Sequence, residues 1–280
     1  MPIVFKNFNK CVPAFSGRWT PIYLEHGRLE IDDSSVKWVS AEGTVIRLPA
    51  ARLSAILLGP GTTITHAAVT MLSRLDTPVV WVGEDGVRFY AFGVNVNEKC
   101  ETSMEHACLY ANTKSRENIA RKMFSERFPE EDVSLKTIEE LRGMEGYRVR
   151  KLYQDLSEKY GVFWQGRNSS GTIQMLGLQD DINKIMTLAN HTLYCICLSA
   201  IVTMGYLPAL GFIHVDGKIP FVYDIADLYK TYITIEPSFK AYKRYRGYDK
   251  DMVLNFVKEA VEENKIVSKI PSDLKRIICS

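Results

Sequence analysis

The sequence has no Cys-x-x-Cys pair among its six cysteines, Cys11, Cys100, Cys108, Cys195, Cys197 and Cys279. No disulfide framework is written into it, and a reducing compartment is the expected setting. There is no Gly-x-Ser-x-Gly and no His-Glu-x-x-His, so neither a nucleophile elbow nor a zincin helix is available. Gly59-Pro-Gly-Thr62 has no lysine at P-loop spacing and reads as a turn. Internal repeats and low-complexity tracts are missing. The opening MPIVFKNFNK lacks a basic stretch followed by an apolar one, so no signal peptide is expected and the expected location is cytoplasmic. Excess charge of one sign is lacking as well. With 35 Lys+Arg against 33 Asp+Glu, the net charge is +2 over 280 residues. That excludes a histone-like polycation but not a local basic surface.

What remains is a globular composition, 46% apolar and 24% charged, long enough for about two domains. Thr192 to Ile213 contains no Lys, Arg, Asp or Glu and meets the length rule for a membrane span. Its Thr192, Ser199, Thr203, two glycines and Pro208, and its run into His214, Asp216 and Lys218, favour a buried helix broken at Gly205–Pro208. Residues 1–92 read as β-rich. Apolar pieces at 22–26, 28–31, 36–39, 45–48, 53–58, 78–82 and 87–90 are separated by turn signals, with one helix capped by Thr65. Residues 93–280 read as helical after a polar stretch. Helices are predicted over 105–128, 134–142, 145–160, 180–206, 237–246 and 250–262, with a polar loop around 166–171. The expected fold class is α+β, a small β domain followed by a larger all-α domain.

His214, Asp224 and Asp227 form the strongest chemical cluster. The i, i+3 spacing of the aspartates puts both on one helix face, within the apolar and aromatic Phe221-Val-Tyr-Asp-Ile-Ala-Asp-Leu-Tyr229. Carboxylates in such surroundings need a partner or a cation. Glu145, in Gly143-Met-Glu-Gly146, falls at a predicted helix start, where the dipole favours negative charge. One imidazole with several carboxylates suits Mg²⁺ or Mn²⁺ better than a closed zinc site. Each residue also fits a plainer role: the aspartates paired to Lys218 or Lys230 on a helix surface, His214 as a core residue, Glu145 as an N-terminal helix charge. Lys240, Lys243, Arg244 and Arg246 interleave with Tyr242 and Tyr245, a pattern suited to phosphates and bases or simply to a solvated helix face. Arg142, Arg148, Arg150 and Lys151 flank Glu145. Cys195-Ile-Cys197 reads as core, and His66 and His106 show no evident partner.

Nearly the whole chain resembles the Cas-one integrase family of CRISPR adaptation, most closely its subtype I-E branch. The resemblance rests on Thr65-His-Ala-Ala-Val69, Val80-Trp-Val-Gly-Glu84 and Gly86-Val-Arg88 in the first part. In the second it rests on Arg121-Lys-Met-Phe124, Leu141-Arg-Gly-Met-Glu-Gly146, Gly211-Phe-Ile-His214 and Phe221-Val-Tyr-Asp-Ile-Ala-Asp227. It implies a β-sandwich-like N-terminal domain, a helical catalytic domain, a homodimer, and assembly with the smaller adaptation subunit, Cas-two. It also implies insertion of short DNA duplexes into the repeat array by 3′-hydroxyl attack, with double-stranded and branched DNA as partners. By resemblance, Glu145, His214 and Asp227 are the metal ligands for Mg²⁺ or Mn²⁺, and Asp224 is the further acidic residue beside them. Arg88, Lys218 and Lys230 match positions near DNA, and Tyr223 falls where the family reads sequence beside the captured segment. His26 stands where the family's stacking tyrosine is expected, and Thr63 where a basic residue is expected. Two rival functions share these residues: a metal-dependent nuclease on branched DNA or RNA, and a non-catalytic nucleic-acid scaffold.

Overall fold

Short apolar runs in the first third of the chain assemble into two four-stranded sheets. The computed structural model describes residues 21–83, 89–93, 101–164 and 177–278; Arg88 and the loop at 166–171 lie outside them. In chain order the strands are β1 (Ile22–Leu24), β2 (Gly27–Asp32), β3 (Ser35–Ser40), β4 (Val45–Leu48), β5 (Ile56–Leu58), β6 (Thr62–Ile64), β7 (Val79–Val82) and β8 (Phe89–Gly93). Helix α1 (His66–Arg74) lies between β6 and β7, and the Thr65 hydroxyl caps it by accepting from the Ala68 amide at 3.2 Å. One sheet has the order β1-β5-β7-β8, with β1, β5 and β7 parallel and β8 antiparallel. The other has the order β4-β3-β2-β6, antiparallel except for β6 alongside β2. Strand β6 begins where the sequence suggested only a turn.

Strands β5 and β7 are buried on both faces, as their near-continuous apolar runs require. Side chains alternate along each strand. Ile56, Leu58 and Val79 point into a core with Leu29, Trp38, Met71 and Leu72. Leu57, Val80 and Val82 point the other way, into the helical core. This sheet is therefore a wall shared by two cores.

The helices are α2 (Glu101–Ala111), α3 (Thr113–Arg127), α4 (Ile138–Tyr160), α5 (Gly177–Thr203), α6 (Pro220–Ala226), α7 (Glu236–Tyr245), α8 (Lys250–Glu263) and α9 (Ile266–Ile278). Helix α5 is the hub, packing against α6, α7, α8 and α9. Ile185, Met186, Leu193, Ile196, Cys197 and Ala200 are fully buried, as is Cys195, so the uncharged run is a core helix, and burial pushes both thiols up in pKa. It ends at Thr203, just before Gly205, whose φ of +83° turns the chain away.

Three helix expectations need correction. The single helix over 105–128 is two, because Asn112 adopts an extended conformation and caps α3 by accepting from the Ser115 amide at 3.0 Å. The separate helices at 134–142 and 145–160 are one. Thr137 and Glu140 form a reciprocal capping box, and α4 runs unbroken through Gly143 and Gly146 to Gly161. Glu145 is consequently mid-helix, beyond the first turn where the dipole would act on it. Helix α9 was not anticipated. It buries Ile266, Ile270, Leu274 and Ile278 along one face despite Pro271 inside it.

His106, far from lacking a partner, ties α2 to the segment that follows α5. Its Nδ1 accepts from the Leu207 amide at 3.1 Å and its Nε2–H donates to the Leu210 carbonyl at 2.9 Å. These partners fix the neutral tautomer. The ring stacks on Phe212, with centroids 5.2 Å apart. Burial pushes its pKa down from 6.5 to about 4. The unfolded chain takes up this proton below about pH 6.5 and the folded chain does not, so stability falls as pH drops through that window. At pH 5 the loss from this group is about 2 kcal/mol. Urea unfolding at pH 7 and pH 5 is expected to show that His106→Gln loses less stability on acidification than wild type by about that amount. Equal losses would contradict the assignment.

Candidate active site

The site starts from one buried charge. Asp224, in α6, has no exposed surface, and its carboxylate is surrounded by donors. Oδ2 accepts from the amides of Phe212 (2.6 Å) and Ile213 (3.1 Å). Oδ1 accepts from the amide of His214 (2.9 Å) and from its ring Nδ1 (2.7 Å). The carboxylate thus winds residues 212–214 around itself and fixes the imidazole. With Nδ1 carrying the proton toward Asp224, Nε2 is left with a free lone pair. Gly211 opens this turn because a Cβ there would collide with the His214 carbonyl oxygen and sit 2.9 Å from Pro220.

Asp227 caps α6 one turn on and faces the imidazole, its Oδ2 being 3.9 Å from His214 Nε2. Its Oδ1 pairs with Lys230 Nζ at 2.5 Å. Burial pushes the Asp227 pKa up, but Lys230 and Arg127 outweigh it and hold the group below its ordinary value. The Lys230 ammonium also lies 4.8 Å from the Tyr194 ring centre. Burial alone would lower its pKa; Asp227 and Tyr194 reverse that and raise it. Lys230 immediately precedes a π-helical turn, Thr231–Ile235, pinned to α5 by the Thr234 hydroxyl donating to Asn190 at 2.6 Å. Hydrogen bonding to Asp224 raises the His214 pKa against the opposing pull of burial.

Glu145 arrives from α4, 69 residues before His214 in the chain. Nothing near Glu145 in the chain marks the group that holds it. Arg127, the last residue of α3, donates Nη1 to Glu145 Oε1, donates Nη2 to the Asp224 carbonyl at 3.0 Å, and stands 3.6 Å from Asp227 Oδ2. A cation in a helix's last turn ordinarily reads as a complement to the dipole, so nothing local marks this one. Arg142, one turn before Glu145, donates to the Ile213 carbonyl and fastens the His214 turn to α4.

Glu145, His214 and Asp227 therefore converge from three segments, with Asp224 behind them. The donor set, two carboxylates and a neutral imidazole nitrogen, suits a hard divalent cation such as Mg²⁺ or Mn²⁺. Among the described residues no three such side chains stand close enough to grip one ion, and Arg127 lies against both acids. The guanidinium places one positive charge between the two carboxylates.

Tyr223 flanks the site, its ring edge-on to His214 with centroids 6.0 Å apart and to Tyr194 at 5.1 Å. Lys218 is exposed on the loop between His214 and α6. The basic run is elsewhere. Lys243 lies over the Tyr160 ring at the far end of α4, 15 residues and about 22 Å of helix from Glu145. Lys240, Lys243, Arg244 and Arg246 are exposed, but Tyr242 is buried, so only Tyr245 of the two tyrosines is open to a base. His26 is exposed in the turn between β1 and β2, with φ of 53°.

The family model described as CRISPR associated protein Cas1 matches residues 22–136 and 129–253. The chain is 40% identical over 278 residues to a CRISPR-associated endonuclease Cas1 of Chlorobaculum tepidum, covering 99% of this chain and 93% of that protein. It is 34% identical to the CRISPR-associated endonuclease Cas1 of Escherichia coli K12, covering 90% and 82%. A solved TtCas1–DNA complex superposes with a TM-score of 0.82 at 30% identity, covering 93% of this chain and 92% of the other.

Asp224 supports a direct test of the site's construction. Asp224→Asn replaces an acceptor-only group with one whose amide N–H₂ must face donors. The expected cost is about 2–4 kcal/mol of unfolding free energy. In NMR titration the His214 pKa is expected to fall. Wild-type stability and an unchanged His214 titration would show that the carboxylate does not organise the turn.

Proposed function

This chain belongs to the CRISPR-associated Cas1 family, and we propose that it is the metal-dependent strand-transfer enzyme of CRISPR adaptation, joining the 3′-hydroxyls of a short DNA duplex to phosphodiesters of the repeat array. The observation that supports this best is the His214 imidazole. Asp224 locks it with Nε2 free, and it faces Asp227 at 3.9 Å beside Glu145. A purely structural histidine would have both nitrogens satisfied, as His106 does.

Glu145, His214 Nε2 and Asp227 Oδ2 would hold Mg²⁺ or Mn²⁺. When bound, the ion neutralises charge developing on the phosphoryl group and draws the scissile phosphate into line. The protein's part is positioning. Asp224 holds the imidazole orientation, Arg142 holds the turn, and Lys230 keeps Asp227 ionised. One P–O bond forms as another breaks. The hydroxyl proton leaves the attacking 3′ oxygen, and the departing 3′ oxygen takes one up, so no energy source or covalent enzyme intermediate is needed. The reverse reaction on a branched product uses the same groups.

DNA is held through phosphates, with Lys218, Lys243, Arg244, Arg246 and His26 as exposed candidates and Tyr223 beside the reacting strand. Arg88 is a further candidate outside the described residues. The working form is a homodimer assembled with the smaller Cas2 subunit in the prokaryotic cytoplasm.

A labelled 3′-OH duplex, a supercoiled repeat plasmid and the Cas2 subunit in Mg²⁺ or Mn²⁺ test the reading. Label is expected to join the plasmid. His214→Ala and Asp227→Ala are expected to reduce joining by about 100-fold or more while still binding duplex. Shortened fragments without joining would favour hydrolysis, with water in place of the 3′-hydroxyl. Unchanged joining by either variant would overturn the site.

A further inference from the structure

Resting on that reading of the site, we propose that Arg127 is its resident counter-cation: the guanidinium holds Glu145 and Asp227 together while no divalent ion is present and gives them up when the ion binds. Its side chain is only 6% exposed, and it spans acids from two different segments, Glu145 in α4 and Asp227 at the end of α6. Without Arg127, Glu145 would lose its ion pair and Asp227 would keep Lys230 alone, leaving poorly compensated carboxylates in a mostly buried place. Lys230 cannot serve for both, because it is committed to Asp227 Oδ1. The oxygen that faces Arg127 is Oδ2, the same atom that faces His214 Nε2. Guanidinium and metal ion therefore call on the same oxygen.

The seat is also imperfect. Arg127 Nε is buried without a hydrogen-bond partner, and the approach to Asp227 is 3.6 Å, longer than a hydrogen bond. A side chain whose only role was structural would be expected to satisfy its whole fork. The bond from Nη2 to the Asp224 carbonyl does not involve the ligands, so the side chain retains an anchor when it leaves them. Once a doubly charged ion neutralises Glu145 and Asp227, the attraction that held Arg127 between them is gone, and the like charges repel.

Competition of this kind predicts that removing Arg127 strengthens metal binding. A strut that merely positions Glu145 predicts the opposite. The test is Mn²⁺ titration of the full chain without DNA, followed by loss of the free aqua-ion EPR signal. Arg127→Gln is expected to bind about tenfold tighter than wild type, and His214→Ala to lose the site. Without metal, Arg127→Gln should melt at a lower temperature than wild type and be restored by Mn²⁺. Equal or weaker binding by Arg127→Gln, with wild type binding and His214→Ala not, would overturn the counter-cation role and leave the metal site standing. No His214-dependent binding by wild type would overturn both. Should Arg127→Gln fail to fold, the wild-type guanidinium resonances are followed by ¹⁵N NMR during Mg²⁺ titration. Arg127 should pass from a restrained to an averaged signal, and an unchanged signal would overturn the proposal.

Discussion

A carboxylate with no exposed surface, Asp224, organises everything around the site. Burying a charge is costly unless donors surround it, and here three consecutive backbone amides and one imidazole do so. The exchange works in both directions. The turn at 212–214 has no regular secondary structure to satisfy its amides, and Asp224 takes them. In return the turn delivers a histidine with one nitrogen fixed and the other free. Fold and chemistry depend on a single group, so the residue behind the site matters as much as those in front of it.

The rest of the architecture brings distant acids to that histidine. Helix α5, mostly buried from Ile182 to Ile201, is the surface against which α6 and the π-helical turn are laid. Arginines from the end of α3 and from α4 reach backbone carbonyls on either side of the acidic cluster, at Asp224 and Ile213. These bonds link three segments without covalent connection and fix the separation of Glu145 from Asp227. His106 does similar work farther back, holding residues 207 and 210 so that the segment leading to Gly211 starts from a defined place. Charge balance accompanies the geometry, since each acid that faces the pocket has a cation against it.

Much of this was legible in the sequence. The parallel strands announced themselves as short unbroken apolar runs, and the uncharged run in α5 as a core helix interrupted by glycine. The cluster His214, Asp224 and Asp227 was visible because carboxylates among aromatic residues demand a reason. Other features were invisible for physical reasons. Glycine lowers helix propensity, so Gly143 and Gly146 suggested a break, yet the capping box and the burial of Leu141, Tyr153 and Leu156 outweighed them. Asn112 looked like one more polar residue in a long helical pattern, and only its extended backbone shows it to be a cap. His106 and Arg127 have partners about 100 residues away, and no local pattern encodes a contact of that span. The place of the basic stretch on α7, against Tyr160 at the far end of α4, is likewise set by packing between distant helices.

The proposed strand transfer requires Glu145, His214 Nε2 and Asp227 to share one divalent ion. Anomalous diffraction from a crystal soaked in manganese tests it most directly. One strong peak is expected within coordination distance of all three side chains, with the Arg127 guanidinium drawn away from Glu145. A peak elsewhere, or an undisturbed Arg127–Glu145 pair with no peak beside His214, would contradict it.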